Sequence, residues 1–279
     1  MDRMRFAPAG VPLSCDQRNT LAGIRCTSEI GLDGMEMEFV RGVRMSVDSA
    51  REVGKLAKKL DVVLTAHGPY FINLLSREEE KIEASKRRIV NTAIVAHAAG
   101  GYSITFHAAY YGNYGREEAY RMVSERISEI VEELKARGVK VWVRPETTGK
   151  VKQWGSIDEI LMLSQEMDMV LPCIDFAHIH ARTNGKFNSA EEWRDLLERI
   201  ESELGRDAIK EMHIHISGIN YNEKGERNHL NLEESDLKWR ELLRILKEFD
   251  ARGVIVSESP NIEGDALLMK RFWSSINNW

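Results

Sequence analysis

The sequence predicts an α/β fold, a single closed (β/α)8 TIM barrel occupying residues 1–279. Three observations point there. Short apolar, β-rich runs alternate with longer helical patterns from one end of the chain to the other, the mark of repeated βα units. Seven of the eight runs end at or beside a residue able to bind a metal: Glu38, His67, His107, Glu146, Asp175 with His178, His213 with His215, and Glu258. Imidazoles and carboxylates so far apart in sequence meet only if the strand ends meet, and a closed parallel barrel brings them to one face. The length of 279 residues also suits one such barrel, which typically needs about 250.

The elements follow in order. Residues 4–7 give a first strand and 20–30 a helix. Residues 34–39 and 62–66 are the second and third strands, followed by helices at 47–59 and 76–99. The fourth strand, 103–107, precedes a helix at 116–137, and the fifth, 140–146, ends after Pro145, which cannot sit inside a strand ladder. A helix at 157–167 leads to the sixth strand, 170–175, and Ser189 is placed to cap a helix reaching residue 204. Residues 211–216 and 253–258 are the last strands, with helices at 237–249 and 265–279. Two loops exceed the usual length, 68–75 and 218–236, and both follow strands ending in histidine.

Composition narrows the class. Hydrophobic residues make up 43% and charged residues 30%, enough for a large core under a charged shell. The net charge of −5 lends no support to a globally basic nucleic-acid binder, although two or three divalent ions would reverse the field locally. Cys15, Cys26 and Cys173 are too few and too scattered for a disulfide framework or a thiolate metal site, so a reduced, cytoplasmic protein is expected. No signal peptide or membrane span is expected either.

The chemistry-bearing residues sit where strands become loops. His67 is followed by Gly68–Pro69 and by an aromatic pair, Tyr70 and Phe71, suited to packing or to stacking against bases. His107 ends the fourth run, and Glu146 needs a cation, for which Arg144 is the plain ion-pair alternative to a metal. In LPCIDFAHIHAR, Asp175 and His178 lie three apart and can offer oxygen and nitrogen to one small volume. With a period of two, His213 and His215 share the barrel-interior side; His215 lies nearer the mouth, leaving His213 for packing or support. His229 falls in the long loop after the seventh strand, and Glu258 ends the eighth. A mixed nitrogen and oxygen set without thiolates suits zinc or manganese, and more than four ligands imply two or three ions. Closely spaced ions serve in-line displacement at a phosphodiester.

The stretches AHGPYFINL, Phe106–His107, Glu146-Thr-Thr-Gly, CIDFAH, His215-Ile-Ser and the strand ending in Glu258 resemble the endonuclease IV family of apurinic/apyrimidinic endonucleases, over essentially the whole chain. The resemblance implies zinc-dependent hydrolysis of the phosphodiester 5′ to abasic sites, with Glu146 and Glu258 at the catalytic centre and no covalent nucleophile. It implies that His67, His107 and Glu146 hold one ion, that Glu146, Asp175, His215 and Glu258 hold a second, and that His178 and His229 hold a third. Tyr70 and Phe71 match the loop residues that enter the abasic gap, while Arg41 and Arg44 are candidate DNA contacts. The implied partner is double-stranded DNA with abasic sites, engaged by a monomer. The chain departs from the family at Arg227, where an aspartate completes the third site, with Glu226 one step further away, and at Ser217–Gly218.

Two other readings stand beside this one. Glu146, Asp175, His215 and Glu258 also satisfy the one-metal tetrad of xylose-isomerase-like sugar isomerases and epimerases, although Lys152 and Tyr221 occupy positions where those enzymes usually carry a carboxylate and an arginine. The third reading is a DNA-binding protein without catalysis.

Overall fold

In the computed structural model, which describes residues 1–276, eight parallel strands follow one another around a ring. They are β1 Met4–Pro8, β2 Gly34–Glu38, β3 Val63–His67, β4 Ser103–Phe106, β5 Trp142–Pro145, β6 Cys173–Asp175, β7 Met212–Ile216 and β8 Gly253–Ser257. Continuous ladders join β2 through β5 and β6 through β8 to β1. Single parallel bridges, Ala9 with Glu36 and Glu146 with Cys173, join the two halves and close the barrel. The helices are α1 Thr20–Glu29, α2 Val47–Lys59, α3 Glu79–Ala98, α4 Arg116–Ala136, α5 Ile157–Glu166, α6 Phe176–Arg182, α7 Ala190–Leu204, α8 Arg206–Lys210, α9 Trp239–Glu248 and α10 Glu263–Ser275.

The strands read as buried on both sides because helices cover one side and the barrel interior the other. In β7 all five residues are buried. Met212, Ile214 and Ile216 join an apolar layer with Trp193, Leu197, Leu243 and Leu246 of α7 and α9. The alternate residues fill an interior that is polar, unlike the branched aliphatic layers common in such barrels. Across it the Ser103 hydroxyl lies 2.8 Å from His213 Nδ1, and Thr65 donates to Glu36 at 2.7 Å.

Local signals set several boundaries. Ser189 and Glu192 form a reciprocal capping box at α7, as the sequence predicts, and Ser156 with Glu159 does the same at α5; each cap contributes about 1 kcal/mol.

Four expectations need correction. The loop at 218–236 contains an antiparallel hairpin, Gly218–Asn222 with Gly225–Leu230, and a 3-10 turn at Leu232–Glu234. The stretch after Asp175, expected as a strand-to-loop transition, is helical as α6. Cys15 and Cys26, eleven residues apart, are joined in a disulfide with their Cα atoms 5.8 Å apart, and only Cys173 is a free thiol. The third helix starts at Glu79 and the closing helix at Glu263, with 277–279 outside the described residues. Among the described residues no helix is long and apolar enough to cross a membrane.

Candidate metal centre

At the C-terminal mouth of the barrel the local fold explains why Asp175 and His178 are three apart. Asp175 is the N-cap of α6, and its Oδ1 accepts from the His178 amide at 2.6 Å. The cap fixes the first turn, so the His178 ring swings back over the strand end while Oδ2 of Asp175, buried and without a hydrogen bond, stays free to bind. Thr147 clamps the same point: its hydroxyl accepts from the Asp175 amide at 2.8 Å.

Glu146 is the hub. Around its carboxylate lie His67 Nε2 at 3.2 Å, His107 Nε2 at 3.1 Å, His178 Nδ1 at 3.0 Å and His215 Nδ1 at 3.6 Å. His215 Nδ1 is also 3.4 Å from Glu258. Three sets of donors follow at the mouth, each with its atoms within 4.8 Å of one another: His67, His107 and Glu146; Glu146, Asp175, His215 and Glu258; and His178, His229 and Glu258. A fourth group, Cys173, His213 and His215, shares His215 and brings in the free thiol that the sequence did not assign to a metal. Arg144, the alternative partner for Glu146, faces elsewhere and donates to the carbonyls of Pro172 and Glu211 and to the Tyr102 hydroxyl.

The donors suit a bound cation on their own chemistry. A ligating imidazole usually commits its other nitrogen to a carbonyl or carboxylate. His67 Nδ1 is 2.7 Å from the Gly68 carbonyl, and His229 Nδ1 is 3.1 Å from the Glu258 carbonyl. His178 Nδ1 is 3.0 Å from the Thr147 carbonyl. Each ring thereby directs Nε2 into the site. His178 Nε2 and His229 Nε2 are 3.4 Å apart, close to the separation of about 3.3 Å expected for two nitrogens around one tetrahedral zinc. Five buried or half-buried carboxylates, Glu36, Glu38, Glu146, Asp175 and Glu258, crowd this volume. Burial pushes the Asp175 carboxyl up to about 7 and Glu38 up to about 8. Burial acts on Glu146 as well, but His107 and His215 outweigh it and hold that carboxyl well below the usual range.

Beneath the mouth lies Glu36, which sequence reasoning missed. Its carboxylate is 3.0 Å from both His213 Nε2 and His215 Nε2, so it anchors the back of the His215 ring and leaves Nδ1 to the mouth. His213 sits one layer deeper. Alternation along GMEME, with Glu36 and Glu38 on one side, was the signal for it.

The remaining candidates flank this centre. Tyr70 and Phe71 are 59% and 51% exposed on the loop after β3, too exposed for a core contact. The Tyr70 ring lies edge-on to His67 at 5.4 Å, and Arg88 covers the Phe71 ring at 4.6 Å. Arg41 and Arg44 are exposed after β2. A cavity of about 250 Å³ opens onto His67, His107, His178, His229 and Glu258, with Tyr70, Tyr110, Lys150, Gln153 and Glu226 on its walls. A larger cavity of about 990 Å³, beside Arg3, Arg244 and Trp273, carries none of the candidate ligands.

Residues 24–273 match the sequence pattern of the xylose isomerase-like TIM barrel family. The chain belongs to that family. An uncharacterized protein of Methanocaldococcus jannaschii is 42% identical over 271 residues, 97% of each chain. A probable endonuclease 4 of Methanosphaera stadtmanae is 25% identical over 181 residues, 61% of this chain and 60% of that one. Among solved structures, endonuclease IV from Thermus thermophilus superposes with a TM-score of 0.72 at 17% identity, covering 98% of both chains. The 3-keto-D-glucoside 4-epimerase of E. coli superposes with a TM-score of 0.71 at 18% identity, covering 98% of this chain and all of the other. Xylose isomerase-like barrels thus include nucleases and sugar epimerases alike, and overall shape does not separate them. The donor set has to.

Proposed function

We propose that this protein is a metal-dependent apurinic/apyrimidinic endonuclease of the endonuclease IV type, a hydrolase that cuts the DNA phosphodiester 5′ to an abasic site. The observation that carries the reading is the pair His67 and His107, both aimed through Nε2 at the Glu146 carboxylate. A one-metal epimerase has use for Glu146, Asp175, His215 and Glu258, and His178 has a counterpart there too, but it has no call for His67, His107 and His229. Here His67, His107, His178 and His229 extend that tetrad into three overlapping donor sets.

In this reading His67, His107 and Glu146 hold one ion, Glu146, Asp175, His215 and Glu258 a second, and His178 and His229 contribute to a third. The set suits zinc, with manganese as the alternative. Such ions, when bound, lower the pKa of water and neutralise charge on the phosphoryl oxygens. The chain's own residues do the rest. Glu146 ties two donor sets through one carboxylate and fixes their spacing. Glu36 holds the His215 ring in register. Tyr70 and Phe71, exposed beside the mouth, are placed to stack in the gap left by a missing base. Arg41 and Arg44 are placed to meet phosphates, whose contribution falls with salt.

A sugar isomerase or epimerase is the second reading, because the tetrad satisfies it as well. The deciding experiment incubates the protein with a duplex containing one tetrahydrofuran abasic analogue, with and without chelator, beside a panel of ketoses. Chelator-sensitive cleavage 5′ to the analogue, lost in His67→Ala, supports the nuclease. Ketose turnover without cleavage overturns it.

A further inference from the structure

The third donor set shares its carboxylate, Glu258, with the second, and Arg227 stands where the family resemblance places an aspartate two residues before His229, which leaves the third set without a carboxylate of its own. The hairpin supplies one by a change of register. Its strands pair Ile219 with His229 and Asn220 with Asn228, but Tyr221 then pairs with Glu226, so Arg227 is an extra residue at a β-bulge. Side chains alternate along a regular strand, which would put residue 227 on the side of His229 and residue 226 on the other. A one-residue bulge reverses that alternation beyond it and re-aims the side chain. Arg227 is accordingly exposed, while the Glu226 side chain is only 13% exposed and lies in the mouth.

We propose that Glu226 is the third-site carboxylate, holding a divalent cation together with His178 and His229. This rests on the multinuclear reading above. Glu226 Oε2 is 3.5 Å from His178 Nε2 and Oε1 is 4.0 Å from His229 Nε2, and those two nitrogens face each other at 3.4 Å. His229 commits Nδ1 to the Glu258 carbonyl, and His178 shares Nδ1 between the Thr147 carbonyl and the Glu146 carboxylate, each at 3.0 Å, so when neutral with the proton on Nδ1 each ring presents the Nε2 lone pair to the space Glu226 borders. The surroundings are shaped for this arrangement. At Gly149 a Cβ atom would come within 2.6 Å of the Glu226 Cβ and 2.9 Å of His178 Cδ2, so only glycine leaves room for the two side chains together. At Gly225, with φ +94°, a Cβ would meet the Gly149 carbonyl at 2.1 Å, and the next amide, that of Glu226, donates to that same carbonyl at 3.0 Å. The two glycines let the hairpin seat against the β5 loop and bring Glu226 over His178.

The test counts ions. Wild type, Glu226→Gln, His229→Ala and Arg227→Ala are saturated with zinc, freed of loose metal and measured by elemental analysis per chain. The expected result is three ions for wild type and Arg227→Ala, and two for Glu226→Gln and His229→Ala, with circular dichroism unchanged. Three ions in Glu226→Gln overturn the assignment of Glu226 and leave the nuclease reading standing. Two ions in wild type, unchanged in both mouth variants, overturn the third site itself. One ion in wild type overturns the multinuclear reading on which the proposal rests. Gly149→Ala supplies a second check, since crowding Glu226 from the backbone side should also remove one ion while Glu226 itself is intact.

Discussion

Replacing Glu146 by glutamine probes the centre at the one residue that two donor sets share. The amide has nearly the volume of the carboxylate, so the barrel keeps its packing and no cavity opens. What disappears is the anionic pair of oxygens around which four imidazole nitrogens lie within 3.0–3.6 Å. Two ions should therefore lose a ligand at once. Supporting residues around a metal are worth about 10–100-fold in affinity or activity, and a shared direct ligand should exceed about 100-fold in cleavage rate. Stability gives an independent scale. Free metal at about 1,000 times its Kd stabilises the folded state by about 4.1 kcal/mol per ion. A chain of 279 residues has an unfolding entropy of about 0.6 kcal/mol/K, from about 2.1 cal/mol/K per residue, so each ion raises Tm by about 7 °C. Thermal scans of both proteins with zinc and with chelator should give a metal-dependent rise in Glu146→Gln smaller by about 9 °C if each Kd weakens about 100-fold, and by about 14 °C, two full increments, if both ions are lost. A variant that binds as many ions as wild type, gains as much in Tm and cleaves the abasic duplex at the same rate would refute the central place given to this carboxylate.

Further outcomes follow from other parts of the molecule. Tyr70→Ala with Phe71→Ala should weaken binding of an abasic duplex by about 1–3 kcal/mol per lost stacking contact, with urea unfolding unchanged because both rings are half exposed; equal affinities in an anisotropy titration would remove them from recognition. Trp193 is fully buried against Phe176 and Phe187, so Trp193→Ala should cost about 3–5 kcal/mol in a denaturant titration, and a loss below about 1 kcal/mol would mean that the α6–α7 contact is not a packing anchor. Hydrogen bonds from Arg252 and Lys210 hold the Asp250 carboxyl at about 2, below its ordinary 3.8. Because the folded value is the lower one, the stabilisation is present above 3.8 and fades as pH falls through 2. Since the side chain is 60% exposed, Asp250→Asn should cost less than about 1 kcal/mol at pH 7, a gap that narrows toward about pH 2.5. A gap independent of pH would show that the ion pairs contribute nothing.

The sequence alone determined the barrel and most of its mouth. Alternation of period-two and period-3.6 patterns is local, and Pro145, Ser189 and the glycines mark boundaries by backbone chemistry that needs no tertiary contact. Strand ends in a parallel barrel converge by topology, so the positions of His67, His107, Glu146, His215 and Glu258 at strand ends already assign them to one face. Tertiary structure alone decided what depends on partners distant in the chain. The hairpin at 218–230 has weak apolar alternation and holds its shape by seating against Gly149, so its bulge, and with it the inward turn of Glu226, had no local signal. Alternation along β2 marks the side on which Glu36 lies, but its place against His213 and His215 exists only once β2 and β7 face each other across the barrel. The Cys15–Cys26 link likewise arises because the loop before α1 folds back on the helix, an approach set by packing and not by spacing. Local sequence chooses elements because propensity and capping act over a few residues, whereas the donors that share one cation are selected by distances that exist only once the barrel has closed.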